Sequence, residues 1–253
     1  QAGEPISRKT LQRVAALSGN ITYVPIKDTW LMKDLVETFK DERYTNILHP
    51  PDINRKIVRS IARIRMPEKI LSELAYLKTR SPYTYQHIMV IAILAGKVSF
   101  DHSLKNKYMH DLAVLLSLFH DLGKSRIPLS ILDKPTPITI KERRILTSHP
   151  LIGYVLLHYY FGKHHKKYSF SSFQHHERLD GKGYPHGLAE NSITLETRII
   201  SVADFFDALT ADRPYRRALP VEQALDIMRD NVGDALDPLV FTALVETLDT
   251  IVA

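Results

Sequence analysis

His120-Asp121-Leu122-Gly123-Lys124 sets an imidazole, a carboxylate and an ammonium side by side at the end of a strongly apolar stretch. Leu112, Leu115, Leu116 and Phe119 fall at i, i+3, i+4 and i+7, so the stretch reads as a helix with one face in a core. His120 and Asp121 thereby enter the structure at a fixed place. An ionised aspartate at the rim of a core is costly unless a positive group or several donors meet it, and Gly123 predicts that the helix stops there with its backbone free to turn. A metal ion is the economical explanation. The structural alternative is a helix end carrying a satisfied histidine and a capping aspartate, and the other histidines decide between the two.

A second centre is His175-His176-Glu177-Arg178-Leu179-Asp180-Gly181-Lys182-Gly183-Tyr184-Pro185. Adjacent histidines precede a turn with glycines at alternate positions, where positive φ is easily adopted and backbone can approach a ligand. His149 stands at a junction before Pro150, which is expected to break or kink the incoming helix. Asp204 interrupts the apolar run Val202-Ala203-Asp204-Phe205-Phe206 and needs a counter-charge. His87 shares a helical stripe with Ile91, Leu94 and Val98, where a lone histidine is ordinarily a core residue with a backbone partner; it matters only in company. His49, His102, His110, His158 and His186 take the structural reading, and Gly162 to Lys167 reads as a solvated loop because clustered like charges are usually exposed.

The elements that must position these residues are helices. Ser7 caps a helix through about Leu17, Asp28 caps a second from near Trp30, and Pro51 to Ile64 supports a third, with a short strand at Ile21 to Val24. Further helices are expected over Tyr85 to Val98, Leu104 to Phe119, Leu151 to Phe161 and Leu195 to Leu209, and from about Val221 and Pro238. A turn and short helix occupy Ile127 to Leu132, and Thr139 with Glu142 has the spacing of a capping box. No convincing alternating strands appear, so the fold is all-α. Residues 1–80 carry no motif with attachable chemistry and read as a helical region for packing, dimerisation or relay from a signalling partner; residues 81–253 form the second unit.

Composition narrows the chemistry. The 253 residues allow one or two domains, and 44% hydrophobic content supports a core without staples. With no cysteine, any metal rests on His, Asp or Glu, a ligand set that fits iron, manganese or zinc. No apolar run approaches a membrane span and no basic leader precedes a short apolar segment, which reads as a soluble, cytoplasmic protein. The net charge of +6 favours an anionic partner, and its dispersal along the chain favours phosphates over duplex nucleic acid.

These residues carry a resemblance. Over residues 80–253 the chain resembles the HD-GYP domains, a branch of the HD phosphohydrolase superfamily: His120-Asp121-x-Gly-Lys124, Ile127-Pro128-x-x-Ile131-Leu132, Ser148-His149-Pro150, His175-His176-Glu177-x-x-Asp180-Gly181-x-Gly183-Tyr184-Pro185, and Arg198 to Arg216 with Asp204, Asp207-Ala208-Leu209-Thr210 and Arg213-Pro214-Tyr215-Arg216 occur in family order. The resemblance implies an HD-domain helical bundle with an amino-terminal helical extension, and a phosphodiesterase that hydrolyses cyclic di-GMP to linear pGpG and in many members on to GMP. It implies metal ligands at His87, His120, Asp121, His149, His175, His176 and Asp204. One divalent ion, iron or manganese, falls to His87, His120, Asp121 and Asp204, and Asp121 bridges to a second held by His149, His175 and His176. Two cations about 3.5 to 4 Å apart share and deprotonate a water, so a bridging hydroxide is the expected nucleophile. Lys124 offers a point charge to a phosphate oxygen, Arg213 and Arg216 offer forked donors to phosphate or a guanine edge, and Tyr184 with the glycine turn shapes the substrate wall. Asp207 orients a ligand or closes a helix contact, and Lys182 has no firm role. Some members add a third ion through a glutamate one turn before the first histidine; here that place is Tyr83, a poor substitute, so two ions are expected. The alternatives are hydrolysis of another cyclic dinucleotide, such as cyclic GMP-AMP, and a non-catalytic nucleotide-responsive docking module.

Overall fold

The computed structural model describes residues 7–40, 51–100, 104, 107–162, 166–213 and 216–249. The expectations for His49, His102 and residues 163–165 lie outside these. The helices are α1 (Arg8–Ala16), α2 (Trp30–Thr38), α3 (Pro51–Arg63), α4 (Glu68–Arg80), α5 (Pro82–Ser99), α6 (Lys107–Ser117), α7 (Leu129–Leu132), α8 (Ile140–Leu146), α9 (His149–Phe161), α10 (Lys166–Gln174), α11 (Leu195–Thr210), α12 (Val221–Arg229) and α13 (Pro238–Asp249). Two short strands, β1 (Tyr23–Pro25) and β2 (Arg65–Pro67), pair antiparallel with Val24 opposite Met66. The protein is all-α, as its patterning predicts. Among the described residues no helix is long and apolar enough to cross a membrane.

The bundle is built around α5. Its sequence runs Ile88-Met89-Val90-Ile91-Ala92-Ile93-Leu94-Ala95, apolar on every face, and a helix with no polar face must be covered on all sides. From Thr84 to Ser99 every residue except Gln86 is buried, under α2, α3, α4, α6, α11 and α13. The single stripe expected from His87 to Val98 is thus one part of a fully enclosed surface. Pro82 opens the helix in its first turn, where a missing N–H costs nothing. The hydrophobic cluster extends from Ile26 to Leu248 and takes in side chains from α2, α3 and α4 alongside those of α5.

Several local expectations hold. Ser7 accepts the Thr10 N–H at the start of α1, and Thr139 and Glu142 form a reciprocal capping box on α8. Others need correction. Thr29, not Asp28, stands at the N-cap of α2, because Asp28 belongs to a 3-10 turn over Ile26–Asp28. Pro150 kinks nothing: α8 has already ended at Leu146, and the proline lies in the first turn of α9. Lys166 and Lys167 open α10, a helix that the charge run concealed. Its buried residues include Ser169, Ser171, Ser172 and Gln174, which carry no apolar period. A side chain on Gly153 of α9 would meet the Ser172 hydroxyl at 2.0 Å.

After α6, the chain passes through Leu118, Phe119 and His120 into a 3-10 turn over Leu122–Arg126. Gly123 serves close approach there, not an unusual φ: a Cβ on it would lie 2.0 Å from the His149 carbonyl oxygen and 2.6 Å from the Gly153 nitrogen. The turn and α9 therefore meet backbone to backbone. Gly123→Ala is expected to cost at least about 1–3 kcal/mol, the ordinary cost of overpacking, because the obstructing atoms are main chain. Urea denaturation checks this, and wild-type stability would show that the contact is not close in solution.

Candidate metal centre

Five places in the chain converge. His87 comes from α5, His120 and Asp121 from the end of α6 and the following turn, and His149 from the first position of α9. His175 and His176 directly follow α10, and Asp204 lies within α11. The side chains form two groups, His87 with His120 and Asp204, and His149 with His175 and His176, each with ligating atoms within 4.8 Å of one another. Asp121 stands between them. Its Oδ2 is 3.4 Å from His87 Nε2 and 3.5 Å from His120 Nε2, while its Oδ1 is 3.2 Å from His149 Nε2 and 3.6 Å from His175 Nε2.

The ring protons can be assigned from their partners. His120 Nδ1 donates to the Ser117 carbonyl at 2.6 Å, His149 Nδ1 to the Leu146 carbonyl at 2.7 Å, and His175 Nδ1 to the Ser172 carbonyl at 2.9 Å. A carbonyl can only accept, so each neutral ring turns a bare Nε2 lone pair into the centre. His149 and His175 bring these nitrogens within 3.2 Å of each other, and Asp121 Oδ1 beside them is buried with no donor. Three acceptors facing one another in a buried space call for a cation. The donor set, imidazole nitrogen and carboxylate oxygen without sulfur, fits a divalent transition metal.

Electrostatics prepare most of these groups for that task. Burial drives the His120 imidazole down to about 3 and pushes His149 and His176 down as well, so these rings are neutral near pH 7. Burial opposes ionisation of Asp121, but the Lys124 ammonium works against it, and the carboxyl is held well below its usual range. Asp204 is held low in the same way by His87. His87 differs. Burial lowers its pKa, yet the hydrogen bonds it donates to the Asp204 and Asp207 carboxylates win and hold it at about 9. Asp207 Oδ2 lies 2.6 Å from His87 Nδ1, the carboxylate contact that commonly orients a ligating imidazole.

The glycine turn forms one wall. Glu177 is buried, with its two oxygens accepting the His186 and Leu188 N–H groups at 2.8 and 2.9 Å. It clamps the loop and is thereby engaged away from the metal groups. Gly181 takes φ +73°, whereas a Cβ on Gly183 would strike Glu177 Cα and Arg178 N at 2.5 Å, so the two glycines serve different needs. Tyr184 stacks on His176 at 4.7 Å between centroids, and burial raises its phenol pKa. Asp180 is bound by both Arg178 and the Lys182 N–H; the Lys182 ammonium is largely exposed.

A cleft of about 400 Å³ opens above His149, His175, His176 and Asp204, with Tyr184 on its wall and Lys124, Arg143, Arg178 and Arg213 around it. Lys124 reaches inward to the Asp121 carboxylate. Arg213 lines the cleft. Arg216 turns elsewhere: its guanidinium donates to the carbonyls of Ala208, Leu209 and Arg217, capping the end of α11, because the last carbonyls of a helix need donors. Arg143 was missed, since an arginine on the polar face of α8 carries no signal until the fold brings it to the cleft. His158 donates to its own helix at the Tyr154 carbonyl, His186 packs on Phe173 and His110 stacks on Phe100, all consistent with structural roles.

Comparison with known proteins shows the family of the chain. The model of the HD domain family matches residues 69–240. A protein of Vibrio cholerae named 3′3′-cGAMP-specific phosphodiesterase 3 is 33% identical over 249 residues, 95% of this chain and 52% of that one. A cyclic di-GMP phosphodiesterase of Pseudomonas aeruginosa is 34% identical over 221 residues, 85% of this chain and 51% of that one. The chain thus spans about half the length of these curated relatives. The solved structure of Bd1817, an HDG"Y"P protein from Bdellovibrio bacteriovorus, superposes with a TM-score of 0.55 at 17% identity, covering 98% of this chain and 74% of that one; that likeness concerns the fold.

With a pKa near 9, His87 carries a proton on Nε2 at pH 7 before any metal is bound, and loading must expel it. Calorimetric titration of stripped protein with Mn²⁺ in buffers of different ionisation enthalpy is expected to show about one proton released per chain, with affinity rising as pH climbs. Asp207→Asn removes one of the groups holding the proton and shrinks the release. A release unchanged by Asp207→Asn would assign the proton to another group.

Proposed function

The chain belongs to the HD-domain family, and from that premise we propose that it is an HD-GYP-type, metal-dependent phosphodiesterase that hydrolyses cyclic di-GMP to linear pGpG, with GMP as the product of a second cut. The observation that carries this reading is the Asp121 carboxylate, one oxygen toward each imidazole group, beneath a cleft edged with cations. His87, His120 and Asp204 would hold one ion and His149, His175 and His176 the other, with Asp121 shared. Iron or manganese suits these nitrogen and oxygen donors.

When bound, such a pair supplies a water acidic enough to attack phosphorus near neutral pH and positive charge for the phosphoryl oxygens. The chain's own residues do the rest. The Nδ1 hydrogen bonds of His120, His149 and His175 fix ring orientation and keep each Nε2 available. Lys124, partly exposed to the cleft and in contact with Asp121, places an ammonium where a non-bridging phosphate oxygen would lie. Arg213 offers a fork suited to the second phosphate or a guanine edge, and Arg143, also lining the cleft, adds charge. The Tyr184 ring, fixed against His176, forms a flat wall for a base. In the net reaction a water oxygen joins phosphorus, the bond from phosphorus to a 3′ oxygen breaks, and that oxygen takes a proton, leaving a 5′-phosphate.

A mixed cyclic dinucleotide is the second reading, favoured by the Vibrio relative named for 3′3′-cGAMP, which aligns with 95% of this chain. A purely docking role is disfavoured because all seven candidate ligands are present and grouped.

Incubation of metal-loaded protein with cyclic di-GMP and with 3′3′-cGAMP, followed by product chromatography, is expected to show faster consumption of cyclic di-GMP; turnover confined to 3′3′-cGAMP would replace the substrate. Asp121→Asn is expected to abolish both reactions while circular dichroism stays helical, and near-normal turnover by the folded variant would sink the assignment. Arg213→Ala is expected to raise KM while metal analysis still finds about two ions per chain, the number of a two-metal hydrolase. Metal lost in step with activity would make Arg213 a support of the centre and not a substrate contact.

A further inference from the structure

Glu73 lies on α4, in the part of the sequence without recognisable chemistry, and is 7% exposed. Its Oε2 accepts from Arg126 Nη1 at 2.8 Å, and its Oε1 accepts from both Arg126 Nη2 and the Tyr160 hydroxyl. Arg126 Nη1 also donates to the Ser125 hydroxyl at 3.0 Å. One buried carboxylate therefore ties together α4, α9 and the far end of the turn that begins at Asp121. Burial opposes its ionisation, but the donors from Arg126, Tyr160 and Ser125 outweigh burial and hold it below the usual range. A buried carboxylate with this many donors is strongly pinned, and removing Arg126, whose own side chain is about half exposed, leaves it uncompensated.

The turn needs such an anchor. It is a single stretch of 3-10 helix, held internally by Lys124 N to Asp121 O at 2.9 Å and Ile127 N to Lys124 O at 3.0 Å, a geometry that is weak by itself. Gly123 sets how close the turn lies to α9 but, having no side chain, leaves its rotation open. Asp121 must present one oxygen to each imidazole group, so a small rotation of the turn withdraws it from one of them.

We infer that Glu73 is a positioning residue for the metal centre: through Arg126 it fixes the rotation of the Asp121–Arg126 turn, with Tyr160 holding Glu73 against α9. This rests on the reading of the two imidazole groups as metal-binding. Arg126 and Glu73 touch none of the seven candidate ligands in the contacts described above, so their effect is transmitted by the backbone between residues 121 and 126.

Glu73→Gln keeps the shape and one acceptor but cannot receive both arms of Arg126. Titration of chelator-stripped protein with Mn²⁺ alone is expected to show affinity weakened about 10–100-fold, the usual effect of losing an outer support of a metal ligand, with KM for cyclic di-GMP unchanged at saturating metal. Adding Arg126→Gln to this variant brings little further loss, since the two act as one unit. Ile57→Val, on α3 away from the turn, is the comparison for general destabilisation and leaves Mn²⁺ affinity at the wild-type value. If Glu73→Gln does not fold, Tyr160→Phe, which removes one donor and keeps the ion pair, decides through a smaller loss of Mn²⁺ affinity. Wild-type Mn²⁺ affinity in a folded Glu73→Gln, or in Tyr160→Phe where that variant must decide, overturns the inference. Failure of the wild-type protein to bind Mn²⁺ at all overturns instead the metal reading beneath it.

Discussion

Asp121 is the point on which the site depends. A carboxylate only 1% exposed, with one oxygen lacking any donor and ring nitrogens turned toward it, is an arrangement that packing forces alone would not hold together. Those acceptors repel one another, and the low dielectric of the interior strengthens the repulsion. The surrounding bundle must therefore be rigid enough to keep them in place before any cation arrives. The backbone contact at Gly123, the enclosed α5 and the Glu177 clamp on the glycine turn all serve that need.

A local device recurs around the centre. His120 donates to the carbonyl of Ser117, His149 to that of Leu146, and His175 to that of Ser172, three residues earlier in each case. Ser117 and Leu146 are the last residues of α6 and α8, and Ser172 lies in the last turn of α10. Carbonyls there have no intrahelical partner and seek a donor. The same bond that satisfies a helix end thus fixes the tautomer of the histidine following it, which is why these imidazoles lie where helices stop. His87, in the middle of a helix with no free carbonyl to use, takes Asp207 from α11 instead.

That device explains what could be read from the chain before its fold was known. His120, His149, His175 and Asp204 stood out because each is a polar residue at an apolar boundary, and the helical periodicity of α5, α6 and α11 was strong enough to place them. The substrate role of Arg216 comes from the Arg213-Pro214-Tyr215-Arg216 segment of the resemblance, whereas helix capping is decided by carbonyls that only the fold brings within reach. α10 escapes the sequence reading because its buried residues are largely polar, Ser169, Ser171, Ser172 and Gln174. Arg143 and Glu73 left no trace, since one owes its place to a loop path and the other to a contact across α4, the turn and α9.

The burial of α5 has a consequence for how the chain reaches this state. The run Ile88 to Ala95 is covered on one side by α2, α3 and α4, which precede it, and on another by α11 and α13, which are made later. At synthesis rates of about 5–20 residues per second, roughly a hundred residues must follow α5 before α11 is available, leaving this apolar face uncovered for about 5–20 s. The helix that gives the finished bundle its coherence is, during translation, an apolar segment whose α11 and α13 neighbours are still absent.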